Sequence, residues 1–387
     1  MFGSLVLWNA VLAFWALTSP SSSPVNTLDA THAPSAPPVV VPTSAPTNAV
    51  TPNKTVLPVL KKLVGQAKLP PAPPAKPLPS TISCPVGRKV KPGDTVYMTL
   101  DDGPSIGSRK YLLQALGHIS EKITFYESAY NICPQTSSLV LDCDDAAKLP
   151  AIELMAWTIK QGHMLAAHSD SHLYDRSTGY CDYVKMGEST IVPPQYASCG
   201  RDATADIVRG ALRFQETMAL ADDALWESAD EKAAYAKQIA NMWTYARLPC
   251  SNVWRMAGDY KFDMGWGSET SATEKAARIS VADAIATGTN KCKPETYMGK
   301  PWYTTGWDVE WAWKELKDTA AEKCRMIQVI EHEFSRAGRD RRRSQAVVVL
   351  GHDYHYNTPE KAAMFRDLIV ELKLRGYAMD TIDHLQL

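Results

Sequence analysis

Five side chains that can bind a metal ion or move a proton stand at or near the ends of short apolar runs in this chain. They are Asp101, Asp102, His168, His172 and His352. His168 and His172 are four residues apart, which would put both rings on one face of a helical turn, the spacing used to hold a single metal ion. Two imidazoles and a carboxylate form a common catalytic zinc site that keeps one position open for water. With Asp102 as the carboxylate, the pattern predicts metal-assisted hydrolysis.

Each of these side chains also has a plainer interpretation. The adjacent pair Asp101 and Asp102, taken alone, is typical of a turn or a helix cap, and His352 alone could be a core histidine. Asp308 and Glu310 could serve as the carboxylate pair of a glycoside hydrolase. That interpretation leaves the spacing of the two histidines unexplained, so metal chemistry is the preferred hypothesis.

The elements that must position these side chains are strands alternating with helices. Apolar, β-rich runs predict strands at 95–100, 122–126, 164–167, 345–350 and 377–382. Apolar residues at helical spacing predict helices at 107–118, 149–161, 270–286, 313–338 and 359–375, with two more within 205–243. The alternation indicates parallel βαβ units and an α/β fold. In such folds the sites are built at the carboxyl ends of strands, where the polar clusters stand.

The first 80 residues are not expected to contribute to this fold. They hold 15 of the 26 prolines, and no aromatic residue occurs between Trp15 and Tyr97. Such a segment cannot bury enough apolar surface to offset the entropy of ordering it. An uncharged apolar run followed by small residues predicts a signal peptide or an N-terminal anchor over 1–19. A disordered Pro/Ala/Thr-rich linker is predicted over 20–80 and one folded domain over 81–387.

The cysteines agree with export, and the charges give no argument for nucleic acid. The chain has 41 basic and 42 acidic side chains and no basic stripe of helical length. All eight cysteines follow residue 80, and an even number in an exported chain predicts disulfides. Cys133 with Cys143, and Cys181 with Cys199, would close short loops, although eight cysteines allow 105 pairings. We expect a monomer that is secreted, periplasmic or cell-surface associated, meeting a membrane only through an uncleaved anchor.

Five motifs occur in an order that resembles a known family. They are TLDDGP (99–104), HSDSH (168–172), RLP (247–249), WDVEW (307–311) and LGHD (350–353). They resemble the motifs of the NodB-like polysaccharide deacetylases, carbohydrate esterase family 4, over about residues 94–387. Leu100 stands where the family usually has Phe, and the glycine that usually closes the third motif is missing after Pro249.

The resemblance implies a fold, an activity and roles for the matched residues. The fold is a distorted (β/α) barrel of the NodB-homology type with a metal ion at the strand ends. Asp102, His168 and His172 would bind the ion, usually Zn²⁺ and sometimes Co²⁺ or Ni²⁺. Asp101 would be the general base that takes a proton from water, and His352 the general acid that protonates the leaving sugar amine.

Other matched positions would support these groups. Arg247 would pair with Asp101, lower its pKa and keep it ionised. The fourth motif offers Asp308 and Glu310 as the partner that orients His352, and Asp308 is preferred. The residues expected in or beside the substrate pocket are Glu310, Trp311, Leu350 and Pro249.

A long segment near residues 173–204 separates the second and third motifs and is predicted to be a Cys-tied insertion. A loop bracketed by Cys181 and Cys199 could shape access to the site, although a decorative insertion is an equal interpretation. The sequence thus predicts an exported, metal-dependent deacetylase of a polymer that contains N-acetylglucosamine, such as peptidoglycan or a chitin-like glycan. An O-acetyl esterase acting on a xylan-type glycan and an inactive glycan-binding relative are the alternatives.

Overall fold

Ten strands lie side by side in one curled sheet that carries helices, in the part of the chain that the structure describes. This computed structural model describes residues 77–136, 138–187, 190–220, 225–264, 270–311 and 318–387. The signal or anchor predicted over 1–19, and all but the last four residues of the linker predicted over 20–80, lie outside these ranges. None of the described helices is both long and apolar enough to cross a bilayer.

The strands are mostly short, and only two exceed six residues. They are β1 Thr95–Gly103, β2 Thr124–Ser128, β3 Met164–Ser169, β4 Tyr245–Ala246, β5 Asn252–Met256, β6 Tyr260–Met264, β7 Tyr303–Thr304, β8 Val309–Glu310, β9 Ala346–His352 and β10 Ala378–Met379. Their order across the sheet is β6-β5-β7-β4-β3-β2-β1-β9-β8, and β10 pairs with the start of β1.

The helices of the described residues connect these strands. They are α1 Arg109–Leu116, α2 Asp145–Lys160, α3 Ala203–Ala219, α4 Ala229–Met242, α5 Ala272–Thr287, α6 Thr319–Ser335 and α7 Pro359–Leu374. All but α1 begin after a side chain that accepts a hydrogen bond from a backbone N–H of the first turn. These caps are Asp144, Asp202, Ser228, Ser271, Asp318 and Thr358. Short oxygen-bearing side chains at this position satisfy donors that the helix leaves free.

The sheet is parallel except at one hairpin. Strands β1, β2, β3, β4, β7, β8, β9 and β10 pair in parallel, whereas β5 runs antiparallel to both β6 and β7. The predicted α/β distorted barrel is confirmed, but the purely parallel pattern is corrected by the hairpin β5–β6. Its turn contains Gly258 and Asp259 in left-handed conformations, which allow the tight reversal.

Strands β1 and β9 lie side by side in the sheet and are buried on both faces. Alternate residues pack to opposite sides, with Val96 and Val347 in one apolar cluster and Tyr97 and Val348 in the other. A strand covered on both faces reads as a continuous apolar run, which is why these two runs were visible in the sequence. Both runs end in polar residues at the same edge of the sheet.

Four disulfides use all eight cysteines: Cys84–Cys324, Cys133–Cys143, Cys181–Cys250 and Cys199–Cys292. The short loop predicted for Cys133 with Cys143 is confirmed. The pairing of Cys181 with Cys199 is wrong, because each of them bonds to a distant segment. The insertion is therefore tied to the body of the fold at two points instead of being closed on itself.

Helix α3 lies directly against the turn that carries the two histidines, because residue 210 has no side chain. A Cβ atom on Gly210 would lie 2.3 Å from the carbonyl carbon and oxygen of Ser169, well inside the contact distance of carbon atoms. The close approach also lets the N–H of Asp170 donate to the carbonyl of Asp206, at 3.0 Å. The helix is thus a rigid support for the second motif.

We predict that Gly210→Ala destabilises the protein. In a free helix the change would gain about 1 kcal/mol, but forcing the added methyl between packed backbones costs roughly 1–3 kcal/mol or more. Urea unfolding should show a net loss of unfolding free energy. Gly107→Ala is the control, because no atom lies within 4 Å of the Cβ position there. Equal stability of the two variants would contradict the close packing.

Candidate active site

The carboxyl ends of neighbouring parallel strands bring the predicted residues together. Asp101 of β1 pairs in register with His352 of β9. His168 lies near the end of β3. Arg247 directly follows β4, and its N–H donates to the carbonyl of Ala167 at 2.9 Å. Because β4, β3, β2, β1 and β9 are consecutive across the sheet, these side chains meet at one edge.

Asp102, His168 and His172 present their ligand atoms to one another. Oδ1 of Asp102 lies 3.3 Å from Nε2 of His172 and 3.6 Å from Nε2 of His168, and all three atoms lie within 4.8 Å of each other. That carboxylate oxygen is buried and makes no hydrogen bond within the described residues. Buried polar atoms normally have a partner, and a cation bound between this carboxylate oxygen and the two imidazoles would supply one.

The hydrogen bond on the other side of His168 fixes which nitrogen faces Asp102. Its Nδ1 lies 2.7 Å from the carbonyl oxygen of Arg247. A carbonyl can only accept, so Nδ1 carries the proton and Nε2 offers its lone pair toward Asp102. Burial lowers the pKa of His168 to about 3, although the charge of Asp102 acts in the opposite direction. The ring is therefore neutral, which is the form that binds a metal ion.

These residues fit the predicted ion. Two imidazole nitrogens and one carboxylate oxygen are donors that Zn²⁺ accepts. The three donor atoms lie within 4.8 Å of one another. The backbone carbonyl of Arg247 holds His168 in the tautomer that can bind a metal ion.

The turn that joins the two histidines is not helical. His168 belongs to β3, and the chain reverses at His172 and Leu173, which have left-handed φ angles of 57° and 53°. The N–H of His172 donates to Oγ of Ser169 at 3.1 Å. The predicted helical turn is therefore wrong. The rings nevertheless meet, with centroids 5.2 Å apart, because the tight reversal folds His172 back toward β3.

A buried charge network that sequence reasoning missed supports this turn. The carboxylate of Asp206 accepts hydrogen bonds from the N–H groups of Ser171 and Leu173, which flank His172. It also accepts from Arg209 at 2.8 Å, and Arg209 pairs with Asp170 at 3.0 Å. Asp206 and Arg209 lie on the buried face of α3. Charged residues on an otherwise apolar helix face were the signal that could have found them.

Arg247 is completely buried and holds Asp101. Its Nη1 donates to Oδ1 of Asp101 at 2.8 Å and to Oγ1 of Thr99 at 2.7 Å. Its other donors reach the carbonyl oxygens of Thr305 at 3.2 Å and Gly306 at 3.0 Å. The structure thus places Arg247 where the third motif predicted it, with its guanidinium donors directed at fixed acceptors.

The pKa of Asp101 differs from the expectation. Burial raises it above its ordinary value, and the positive charge of Arg247 lowers it by less than burial raises it. The prediction of a lowered pKa is therefore wrong in its net direction, because the loss of water outweighs the ion pair. A raised pKa brings the carboxylate closer to the working range of a general base near neutral pH.

Asp308 does not contact His352. Its carboxylate pairs with Arg343 at 2.5 Å and Arg339 at 3.1 Å. It also accepts a hydrogen bond from the backbone N–H of Val348 in β9, at 2.9 Å. The preference for Asp308 as the partner of His352 is therefore wrong, because its oxygens are already engaged by two buried guanidinium groups.

Glu310 is the carboxylate of the fourth motif that remains a candidate beside His352. Its side chain is exposed. Burial raises the pKa of Tyr354, and the charges of Asp102, Asp101 and Glu310 add to that rise. The ring of Tyr354 in turn lies 5.4 Å from that of His352. Nδ1 of His352 is buried and makes no hydrogen bond to any described residue. A role for Glu310 in orienting His352 stays a prediction.

The expected pocket residues are structural neighbours of the site. Trp311 is buried, and its indole N–H donates to Glu322 at 2.7 Å. Leu350 is buried in β9, and the carbonyl of Pro249 accepts from the hydroxyl of Tyr183 at 2.6 Å. Contact of Trp311, Leu350 or Pro249 with a substrate stays a prediction.

A second buried charge network that sequence reasoning missed joins the ends of the strands on either side of Asp101 and Asp102. Arg109 pairs with Glu127 at 2.9 Å and with Asp353 at 3.0 Å, and all three side chains are inaccessible to solvent. Glu127 belongs to β2, and Asp353 directly follows β9. Burial raises the pKa of Glu127 to about 6, and Arg109 opposes this. The network therefore connects the ends of the two strands that flank β1.

We predict that neutralising the two carboxylates of the fourth motif affects stability very unequally. Asp308→Asn should lower the free energy of unfolding by about 3 kcal/mol, because it removes the counter-charge of the buried Arg343, whereas Arg339 keeps its pair with Glu333. Glu310→Gln should change that free energy by less than about 0.5 kcal/mol, because the side chain is exposed. Urea unfolding of both variants checks this. An unfolding free energy that Asp308→Asn leaves unchanged would contradict the assignment of Asp308 to Arg339 and Arg343.

Comparison with known proteins supports the resemblance to the NodB-like polysaccharide deacetylases, carbohydrate esterase family 4, that the motifs predicted, and the curled sheet is of that type. A curated relative, the chitin disaccharide deacetylase of Vibrio alginolyticus, is 25% identical over 227 residues, which are 56% of this chain and 47% of the relative. The chain thus spans about half the length of that protein. No family model matches the chain.

Solved structures of this kind are also similar. A carbohydrate esterase family 4 esterase from Streptococcus mutans has a TM-score of 0.40 and 19% identity, covering 75% of this chain and 86% of that one. The chitin deacetylase from Colletotrichum lindemuthianum has a TM-score of 0.39 and 13% identity, covering 80% and 93%. The catalytic domain of a peptidoglycan N-acetylglucosamine deacetylase from Eubacterium rectale has a TM-score of 0.38 and 16% identity, covering 78% and 94%.

Proposed function

We propose that this protein is a divalent-metal-dependent deacetylase that hydrolyses N-acetyl groups of a polymer containing N-acetylglucosamine. The observation that carries the proposal is the convergence of Asp102, His168 and His172 beside an aspartate that Arg247 holds in place. The name of the curated relative, a deacetylase of a chitin disaccharide, supports it. Asp102, His168 and His172 would hold the ion, with Zn²⁺ preferred and Co²⁺ or Ni²⁺ as alternatives.

Asp101 is the proposed general base. When bound, a divalent ion supplies Lewis acidity, which lowers the pKa of a water molecule and polarises a carbonyl group. Oδ1 of Asp101 is occupied by Arg247, while Oδ2 lies 3.8 Å from Nε2 of His168 and faces the histidines. Oδ2 is therefore the atom that would accept the proton. Arg247 fixes the carboxylate plane so that this oxygen keeps its direction.

His352 is the proposed general acid. Its register partner is Asp101, so the two groups lie on adjacent strands at the same level. An imidazolium can give its proton to the leaving nitrogen, which must be protonated before an amide bond breaks. Histidine is the side chain most often used to donate and accept protons near neutral pH.

Aromatic side chains on two sides of the site favour a sugar polymer as the substrate. Tyr180 lies 5.9 Å from the ring of His172 and is 52% exposed, and Tyr354 lies beside His352 and is 47% exposed. Exposed aromatic rings of this kind offer apolar faces with a polar tip to a ligand. We propose a peptidoglycan or chitin-like glycan as the polymer.

Export is part of the proposal. Four disulfides are typical of proteins from oxidising compartments. We propose a secreted, periplasmic or cell-surface monomer whose N-terminal 1–19 segment directs export. In this proposal the linker over 20–80 holds the catalytic domain at an insoluble polymer.

We predict that loss of the base and loss of a ligand have different consequences. Asp101→Asn should keep the metal but lower acetate release by about 10²–10⁴-fold, because only proton transfer is removed. His168→Ala should lose both the metal and the activity. Metal analysis and acetate release check this, with His384→Ala, an exposed histidine, as the control. Normal zinc content and stoichiometric acetate release by His168→Ala would refute the site.

The substrate class is tested by acetate release from three polymers. Metal-loaded protein is incubated with peptidoglycan, chitin oligomers and acetylated xylan, with and without a chelator. We expect release from peptidoglycan or chitin oligomers that the chelator abolishes. Release from xylan alone would replace the proposal by the O-acetyl esterase, and release from none of them would favour the glycan-binding relative.

A further inference from the structure

The disulfide Cys181–Cys250 lies directly behind the metal-facing side of His172. Sγ of Cys181 is 3.4 Å from Nδ1 of His172, and both sulfurs lie within 4.8 Å of that ring. The N–H of Cys181 also donates to the carbonyl of His172 at 3.2 Å. The opposite ring atom, Nε2, is the one that faces Asp102.

This contact favours one tautomer of the His172 ring. A metal-ligating histidine normally donates its second N–H to an oxygen, which fixes the tautomer and the ring orientation. His168 follows that rule with the carbonyl of Arg247. For His172 the neighbour is a disulfide sulfur, which has no hydrogen and can act only as a weak acceptor. A hydrogen bond between these atoms can run only from Nδ1–H to the sulfur, so the contact favours the tautomer whose Nε2 lone pair faces Asp102. A thiol could donate to Nδ1 instead and would permit the wrong tautomer.

The same bond connects two motifs of the site. Cys181 belongs to the insertion that follows the histidine turn, and Cys250 directly follows Pro249 of the third motif. Cys250 has a left-handed φ of 53°, and its carbonyl accepts from Arg278 at 2.6 Å. The bond thus joins the segment of His172 to the segment of Arg247.

We infer that the disulfide Cys181–Cys250 is a positioning element for the metal ligand His172, so that its oxidised state raises the affinity of the site for a divalent ion. The inference rests on the proposed function in so far as that function assigns the ion to Asp102, His168 and His172. It adds that one disulfide, and not the others, is coupled to metal binding.

The first test compares two disulfide deletions in the full chain. The affinity for Zn²⁺ or Co²⁺ is measured by competition with a chromophoric chelator, and the Co²⁺ spectrum reports the ligand geometry. Cys181→Ser with Cys250→Ser should weaken binding about 10–100-fold, the usual effect of losing a partner of a ligating histidine. Cys199→Ser with Cys292→Ser removes the other disulfide of the insertion and should change the affinity less than twofold. Equal effects of the two deletions, or none, would overturn the inference.

A third variant separates contact with the ring from simple tethering. Tyr183→Phe removes the hydrogen bond from the Tyr183 hydroxyl to the carbonyl of Pro249, which joins the same two segments without touching His172. It should leave the metal affinity and the Co²⁺ spectrum unchanged. A loss as large as that of the Cys181/Cys250 deletion would mean that any tether suffices and would refute the positioning role.

The second test needs no variant that could fail to fold. If oxidation tightens metal binding, the bound metal must protect the disulfide by the same factor. In a glutathione buffer the S–S bond breaks as two glutathione thiols supply two electrons and two protons and form their own disulfide. Thiol trapping should show that metal shifts this equilibrium about 10–100-fold toward the intact Cys181–Cys250 bond and leaves Cys199–Cys292 unchanged. No shift, or a shift toward the thiols because they ligate the ion themselves, would overturn the inference.

These measurements distinguish the inference from the proposed function, because neither needs a substrate. A wild-type protein that binds the ion but releases no acetate would refute the function and leave the coupling testable. If the wild-type protein releases acetate but the two deletion variants bind the metal ion equally tightly, only the coupling is refuted. A wild-type protein that binds no divalent ion would refute both.

Discussion

The arrangement of the site depends on the buried guanidinium group of Arg247. Arg247 has no contact with water, so its charge must be matched inside the fold by hydrogen bonds and by a counter-charge. Its side chain holds the carboxylate of Asp101, and its backbone carbonyl fixes the ring of His168. One residue at the end of β4 thus sets both the direction of the proposed base and the tautomer of a proposed ligand. The flanking carbonyls of Thr305 and Gly306 complete its acceptors.

The same rule governs the surroundings of the site. Arg109 is matched by Glu127 and Asp353, and the histidine turn is supported by Asp206 and Arg209. Buried charges of this kind are weak evidence for stability, because removing them from water costs about as much as pairing returns. Their geometry is nevertheless specific, since each network joins strand ends or a helix to a turn. They keep the polar edge of the sheet in a single arrangement.

The long central strands could be predicted from the sequence better than the short strands, the hairpin and the connecting segments. The continuous apolar runs of β1 and β9 ended where expected, and the site residues after them met. Strands of two residues, such as Tyr245–Ala246, are too short to show a periodicity. The hairpin β5–β6 was missed although Gly258 and Asp259, in the three-residue link between its strands, are a hairpin signal. Asp308 was misassigned because a motif gives spacing but not side-chain direction, and the partners of Cys181 and Cys199 lie 69 and 93 residues away.

The two disulfides of the insertion overlap along the chain, since Cys199 stands between Cys181 and Cys250 in sequence. Each half of the insertion therefore has its own covalent bond to the body of the fold. A single proteolytic cut between Cys181 and Cys199 would release no fragment, and each new end would stay attached through its own disulfide. A protein with this linkage can be cut once in that segment and still keep its site in one covalently connected molecule.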